Sequence, residues 1–384
     1  MEFDLSWILL GLPLAFMLGW MASRLDLRQI RLENRDAPKA YFKGLNYLLN
    51  EQQDQAIDAF IEAVQNDPDT SELHFALGNL FRRRGEYQRA VRVHEHLLSR
   101  GDLAQSDRHR AQHALALDFL KAGLLDRAEA ALLKLEGTPF EAQARLALLA
   151  NYERSRDWAL AAQVAEKLDL AEPGSFSPRL AHYLCEQAAT LAAQDQYGQA
   201  LEMLQKAIQK APEAARARLD LARLQEKMGL IAVAWETLTE ALSSTPSAVP
   251  LIAQPLAHLA LRCGHTPKTL QQLQDLYAVK PCLDLLDALV TLSAASDGPT
   301  SARDWYARHL EQEPSLVAAS KWIAGEKLEH EQFHPQVQRA LDHATQPLLR
   351  YRCAACGFEA MQHFWQCPGC QTWDSYPALR VEEL

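Results

Sequence analysis

Residues 197–212, YGQALEMLQKAIQKAP, and residues 231–246, IAVAWETLTEALSSTP, decide how the rest of the chain reads. In the first, Ala200, Leu204 and Ala207 precede Pro212; in the second, Ala234, Leu238 and Ala241 precede Pro246, each 34 residues after its counterpart. Residues four and seven apart share one face of a helix, and a proline just beyond stops it. The same signature stands earlier as Ala56, Phe60 and Ala63 before Pro68. A helical unit that recurs at a fixed period marks a stacked array rather than a single globular core.

Upstream of each signature a second helix is expected, with a small residue where two helices cross, as at Gly44 and Gly78, and an aromatic three positions on, at Tyr47 and Phe81. This pairing resembles the tetratricopeptide repeat. Other units depart from the pattern: Ala90, His94 and Leu97; Ala116, Phe119, Ala128, Leu132 and Leu135 before Pro139; Tyr152, Ala161, Ala165 and Leu168 before Pro173. After about residue 247 the match decays to Leu273 and Leu276 before Pro281, and Ala302 and Tyr306 before Pro314. The reading is mainly α, six recognisable repeats and two or three degenerate ones over residues 37–347. Stacked pairs share a core and curl into a superhelix whose concave groove takes peptides or proteins. The signature residues are then core, and function falls to polar residues of each first helix. His94 with His96, and His109 with His113, lack an added Glu or Cys and read as surface or core histidines.

Residues 5–23, LSWILLGLPLAFMLGWMAS, carry no charge and as a helix would span about 28 Å, close to a bilayer's hydrocarbon core. A signal peptide begins with a basic segment, whereas this chain opens Met1-Glu2-Phe3-Asp4. Arg24, Arg28, Arg31 and Arg35 follow the span, placing the rest of the chain in the cytoplasm. The expected order is a short periplasmic end over 1–4, a transmembrane helix over 5–23 and a juxtamembrane segment over 24–36. Trp7 and Trp20 lie near the two ends, where indole rings favour the headgroup level.

Four of the seven cysteines stand near the carboxyl end, in a module read as residues 350–376. Cys353-Ala354-Ala355-Cys356-Gly357-Phe358 is followed, with ten residues between Cys356 and Cys367, by Cys367-Pro368-Gly369-Cys370. Two C-x-x-C pairs can wrap a tetrahedral ion, and Gly357 offers the left-handed backbone needed beneath it. The knuckles look like rubredoxin or a zinc ribbon, and an S₄ site is compatible with one Fe or one Zn. So small a module lacks an adequate apolar core, so metal binding would supply most of its folding energy. Phe358, Phe364, Trp365, Trp373 and Tyr376 are expected to shield the site or dock it on the last helices. Cys185, Cys263 and Cys282 read as isolated thiols of a reducing compartment.

With 384 residues, 48% hydrophobic and 23% charged, the chain is a folded protein of two or three domains. Sixteen Gly and 18 Pro are too few for a turn-dense all-β fold. A formal charge of −10 argues against nucleic acid as the main partner. No phosphate-binding glycine motif is present, and no H-E-x-x-H or triad pattern stands on a recognisable catalytic framework, so no catalytic residue is assigned.

An amino-terminal anchor, a tetratricopeptide array and a terminal rubredoxin-like knuckle pair, in this order, resemble the lipopolysaccharide assembly protein B family of Gram-negative bacteria. The resemblance implies an inner-membrane adaptor, not an enzyme, that brings the deacetylase committing lipid A synthesis to a membrane AAA+ protease. Other lipopolysaccharide assembly proteins would be further partners, and a homo-oligomer is allowed. Two alternatives stand beside it: a rubredoxin-type electron carrier, whose interval between knuckles would be much longer than ten residues, and a scaffold for another envelope assembly.

Overall fold

Helix pairs of this kind form because the apolar surface of each helix must be covered by its neighbours. The computed structural model describes residues 16–17, 19–21, 41–66, 70–326 and 331–384. They belong to two compact units, Met1–Arg156 and Asp157–Leu384. In the first, the helical residues 41–49 pair with Gln53–Asn66, Ser71–Arg84 with Tyr87–Ser99, and Gln105–Ala122 with Leu125–Leu133; helix Glu141–Ser155 follows. In the second, helix Trp158–Ala171 precedes five pairs. These are Ser177–Ala193 with Tyr197–Lys210, Ala215–Lys227 with Ile231–Ser244, Val249–Cys263 with Thr266–Val279, Leu283–Ser296 with Pro299–Gln312, and Leu316–Ala324 with His334–Thr345. The expected fourth repeat is thus divided, with Tyr152 buried in the first unit and Ala161 and Ala165 in the second.

Ala56, Phe60, Ala200, Leu204, Ala234 and Leu238 are all buried. The small residues face close crossings. A Cβ on Gly44 would lie 2.9 Å from the Phe60 ring, and one on Gly78 2.5 Å from His94 Nε2. The helices end where the prolines require, at Lys210 before Pro212 and at Ser244 before Pro246.

The fading of the signature after residue 247 has a physical basis, because polar side chains take signature positions and find partners there. Thr269, buried, stands where Ala200 and Ala234 stand in their helices, and its hydroxyl accepts from Trp235 Nε1 at 2.9 Å. His309 replaces the second Ala, buried, with Nδ1 2.6 Å from the Tyr277 hydroxyl. One apolar core nevertheless runs from Ala215 to Ala318, through Ile252, Leu256, Leu286 and Leu289.

Most of the apolar segment 5–23 lies outside the described residues. Of it, Phe16, Met17, Gly19, Trp20 and Met21 are helical and exposed. Among the described residues no helix is long and apolar enough to cross a membrane.

Candidate metal centre

The carboxyl-terminal module is built from two turns of the same design. In the first, Cys353 N donates to Phe358 O (2.9 Å) and Gly357 N to Cys353 O (2.9 Å). In the second, Cys367 N donates to Thr372 O (2.9 Å) and Gln371 N to Cys367 O (2.8 Å). A two-residue antiparallel pairing of Tyr351–Arg352 with Glu359–Ala360 closes the first turn, and a single bridge between Gln366 and Trp373 closes the second. Gly357 has φ +79°, as its place beneath a metal demands; the equivalent residue of the second turn is Gln371, at φ +62°. That position escaped the sequence reading because only glycine advertises a left-handed backbone.

The turns bring Cys353, Cys356, Cys367 and Cys370 together, with their sulfurs all within 4.8 Å of one another. Cys353 Sγ is 3.8 Å from Cys370 Sγ, and Cys356 Sγ is 3.7 Å from Cys367 Sγ. A tetrahedron with metal–sulfur bonds of about 2.3 Å has edges of about 3.8 Å. The donor set therefore fits a single S₄ ion, and Fe and Zn share that geometry. Two hydroxyls flank the sulfurs, Ser375 Oγ 3.3 Å from Cys353 and Thr372 Oγ1 3.3 Å from Cys370. Their hydrogen bonds favour thiolates: the Ser375 hydroxyl holds Cys353 down to about 6, and Thr372 lowers Cys370. Cys353 and Cys367 are buried while Cys356 is exposed, so one face of the cluster meets solvent.

The other thiols and the histidine pairs are placed differently. Burial pushes Cys185 and Cys282 up to about 12, as for inert core thiols, and Cys263 is half-buried. His94 is fully buried, its Nδ1 2.5 Å from Asp118, which also accepts from Arg82 at 2.8 Å. His113 lies against Phe140, and burial lowers its pKa. Among the described residues the four cysteines are the one cluster of three or more metal-binding side chains.

The module does not dock on the last helices alone, as its aromatic residues had suggested. Trp373 inserts among Trp158, His182 and Tyr183, far earlier in the array, at ring distances of 6.1, 4.7 and 5.9 Å. The guanidinium of Arg216 lies 5.9 Å from the same indole. Phe358 stays 43% exposed, and Phe364 packs at the ribbon's own core of Tyr351, Cys353, Cys367 and Tyr376, which Leu251 of the array also touches. Between ribbon and helices a cavity of about 600 Å³ remains, lined in part by His182, Arg216, Leu251, His363, Trp365 and Tyr376.

Docking also involves the chain beyond residue 376, which the sequence reading left unassigned. Arg380 donates to both carboxylate oxygens of Asp284 (2.7 and 3.0 Å) and to Leu349 O (2.8 Å), and lies over the Tyr351 ring at 4.1 Å. Glu383 accepts from Leu283 N at 2.7 Å. Glu382 accepts from Leu316 N at 2.7 Å and from the Ser315 hydroxyl at 2.7 Å. Two helix N-termini are thereby capped by carboxylates from the chain's own end, where the helix dipole favours negative charge.

A tetratricopeptide-type array carrying a four-thiol ribbon on its own helices defines a repeat scaffold with a metal-binding module. Comparison with known proteins agrees. The rubredoxin metal binding domain family matches residues 351–376, and tetratricopeptide repeat families match 73–108 and 191–261. Lipopolysaccharide assembly protein B of Escherichia coli (strain K12) is 30% identical over 383 residues, 98% of each chain, and that of Haemophilus influenzae is 28% identical over 400 residues, again 98% of each. The chain belongs to the lipopolysaccharide assembly protein B family. Among solved structures, YrrB, described as a tetratricopeptide repeat protein with an unusual peptide-binding site, is 21% identical, with a TM-score of 0.35 over 50% of this chain and 94% of that one.

Proposed function

We propose that this protein is a non-enzymatic adaptor in lipopolysaccharide assembly, anchored in the inner membrane by residues 5–23 with its bulk in the cytoplasm. Its helical array holds the deacetylase that commits lipid A synthesis and presents it to a membrane AAA+ protease. Cys353, Cys356, Cys367 and Cys370 bind one Fe or Zn ion, which supplies the fold of the ribbon rather than a reaction. The observation that carries this reading is the relationship to curated family members over 98% of both chains, with array and ribbon in one molecule.

In this mechanism the chain supplies surfaces. First helices of successive pairs, such as Ala215–Lys227, offer side chains to a partner segment, while signature alanines such as Ala200 and Ala234 only hold the pairs together. The test is capture of the full-length chain from native membranes, with the lifetime of the deacetylase followed after depletion. Co-purification of the protease and deacetylase, with a deacetylase that persists longer on depletion, is the expected result. An unchanged lifetime would reject the proteolytic role. Reversible bleaching of a visible iron band, together with an electron-transfer partner in the captured material, would favour the electron carrier instead.

A further inference from the structure

The ribbon and the eight residues after it make polar contacts with the array at two places, and Leu251 packs against the ribbon's core as well. At one, Trp373 stacks on His182, and Asp374 accepts from His182 Nε2 at 2.8 Å. At the other, Arg380, Glu383 and Glu382 hold Asp284, Leu283 and Leu316. Between helix Ser177–Ala193 and helix Leu283–Ser296 lie two complete helix pairs, and in such arrays curvature is the sum of small rotations from one unit to the next. A strut across the sum fixes it.

The strut has little strength of its own. Its strands are two residues long, and two of the four buried residues at its core, Cys353 and Cys367, are among the four clustered thiols. Trp373 and Asp374 follow Cys370 directly through Gln371 and Thr372. Their backbone is set by Asp374 N donating to Trp365 O (2.8 Å) and Ala354 N to Ser375 O (2.7 Å). The second place depends on the same core, because Arg380 lies over Tyr351. We propose that the ribbon and residues 377–384 form a metal-dependent brace that sets the curvature of the helices in residues 157–349. Loss of the ion then releases both ends, uncovers Trp158, Tyr183 and Leu251, and changes the surface the array offers to a partner. This inference goes beyond the adaptor reading and does not depend on who the partner is.

Hydrogen exchange read by mass spectrometry tests it on the full-length chain in three states: metal-loaded, stripped by a chelator, and reloaded with Zn, with metal content measured in each. Stripping should accelerate exchange about tenfold at Leu283, Leu316 and Val317 and in helix Ser177–Ala193, with recovery on reloading and no change in helices Ser71–Arg84 and Tyr87–Ser99. Asp374→Asn should loosen helix Ser177–Ala193 while metal content stays at one per chain. Cys367→Ser serves as the stripped state if the chelator fails to remove the ion. Unchanged protection at Leu316 and Val317 in chains shown to lack metal would overturn the brace, as would acceleration spread equally over Ser71–Ser99.

Discussion

His182 and Asp374, 192 residues apart, are joined by a 2.8 Å contact between Nε2 and a carboxylate oxygen. On its other side His182 Nδ1 faces Arg216 Nη1 at 3.4 Å, so the imidazole accepts there and donates to Asp374. The ring is buried and stacked on Trp373, on the wall of the cavity it lines with Arg216. His182→Ala is expected to destabilise the second unit by about 2 kcal/mol, from a lost charge-assisted hydrogen bond and a lost ring contact. In a double-mutant cycle with Asp374→Asn, measured by denaturant unfolding, the two losses should be strongly non-additive. Additive losses would mean the contact contributes nothing.

Arg380 and Asp284 form the opposite anchor, and there the charge is buried more deeply. Asp284 is shielded from solvent and depends on the guanidinium fork, whose plane also covers Tyr351. Removing one partner of such a pair strands the other, so Arg380→Ala should cost about 3 kcal/mol. Arg380→Lys should recover less than half, because an ammonium cannot reach both oxygens and Leu349 O together. Full recovery by lysine in an unfolding titration would show that charge alone matters.

These anchors explain which parts of the molecule were legible in sequence. Ala200, Leu204 and Ala207 announce a helix because a face repeats every three or four residues, and two C-x-x-C pairs announce a metal because thiols at that spacing have few other uses. His182, Arg216, Asp284 and Arg380 carry no such period. Their roles arise only when the ribbon folds back onto helices far away in sequence. The same holds for Glu382 and Glu383, which look like an ordinary acidic end until the free N–H groups of Leu283 and Leu316 stand opposite. Gln371 was hidden for a local reason, a glycine-like backbone under a residue with a side chain.

His309 makes stability depend on pH. Burial lowers its pKa below the usual 6.5, and its Nδ1 lies 2.6 Å from the Tyr277 hydroxyl, which must donate to a neutral ring. Glu313, Glu382 and Asp287 act in the opposite direction without overcoming burial. A histidine depressed in the native state binds protons more readily when unfolded, so its contribution is complete above 6.5. It is lost as pH falls from 6.5 towards the lower native value. Unfolding followed between pH 7.5 and about 5 should show stability declining on the acid side. His309→Gln should flatten that part of the profile, and a variant with the parent slope would assign the effect elsewhere.

Cys367 provides the sharpest test of the metal site. Its sulfur is wholly buried at the ribbon's core and lies 3.7 Å from Cys356 Sγ, one edge of the S₄ tetrahedron. Cys367→Ser replaces a soft thiolate with a hydroxyl that stays protonated and binds Fe or Zn weakly, leaving three ligands and an open position. Because the ribbon's fold is largely metal-binding energy, content should fall from one ion per chain towards zero, and the Trp373 contacts should go with it. Helices such as Ser71–Arg84 and Gln105–Ala122 keep their own apolar contacts, so far-ultraviolet dichroism should change little. Elemental analysis beside tryptophan fluorescence separates the outcomes. Wild-type protein without metal would remove the site altogether, and a metal-free variant with parent fluorescence would show that the ion does not hold the ribbon in place.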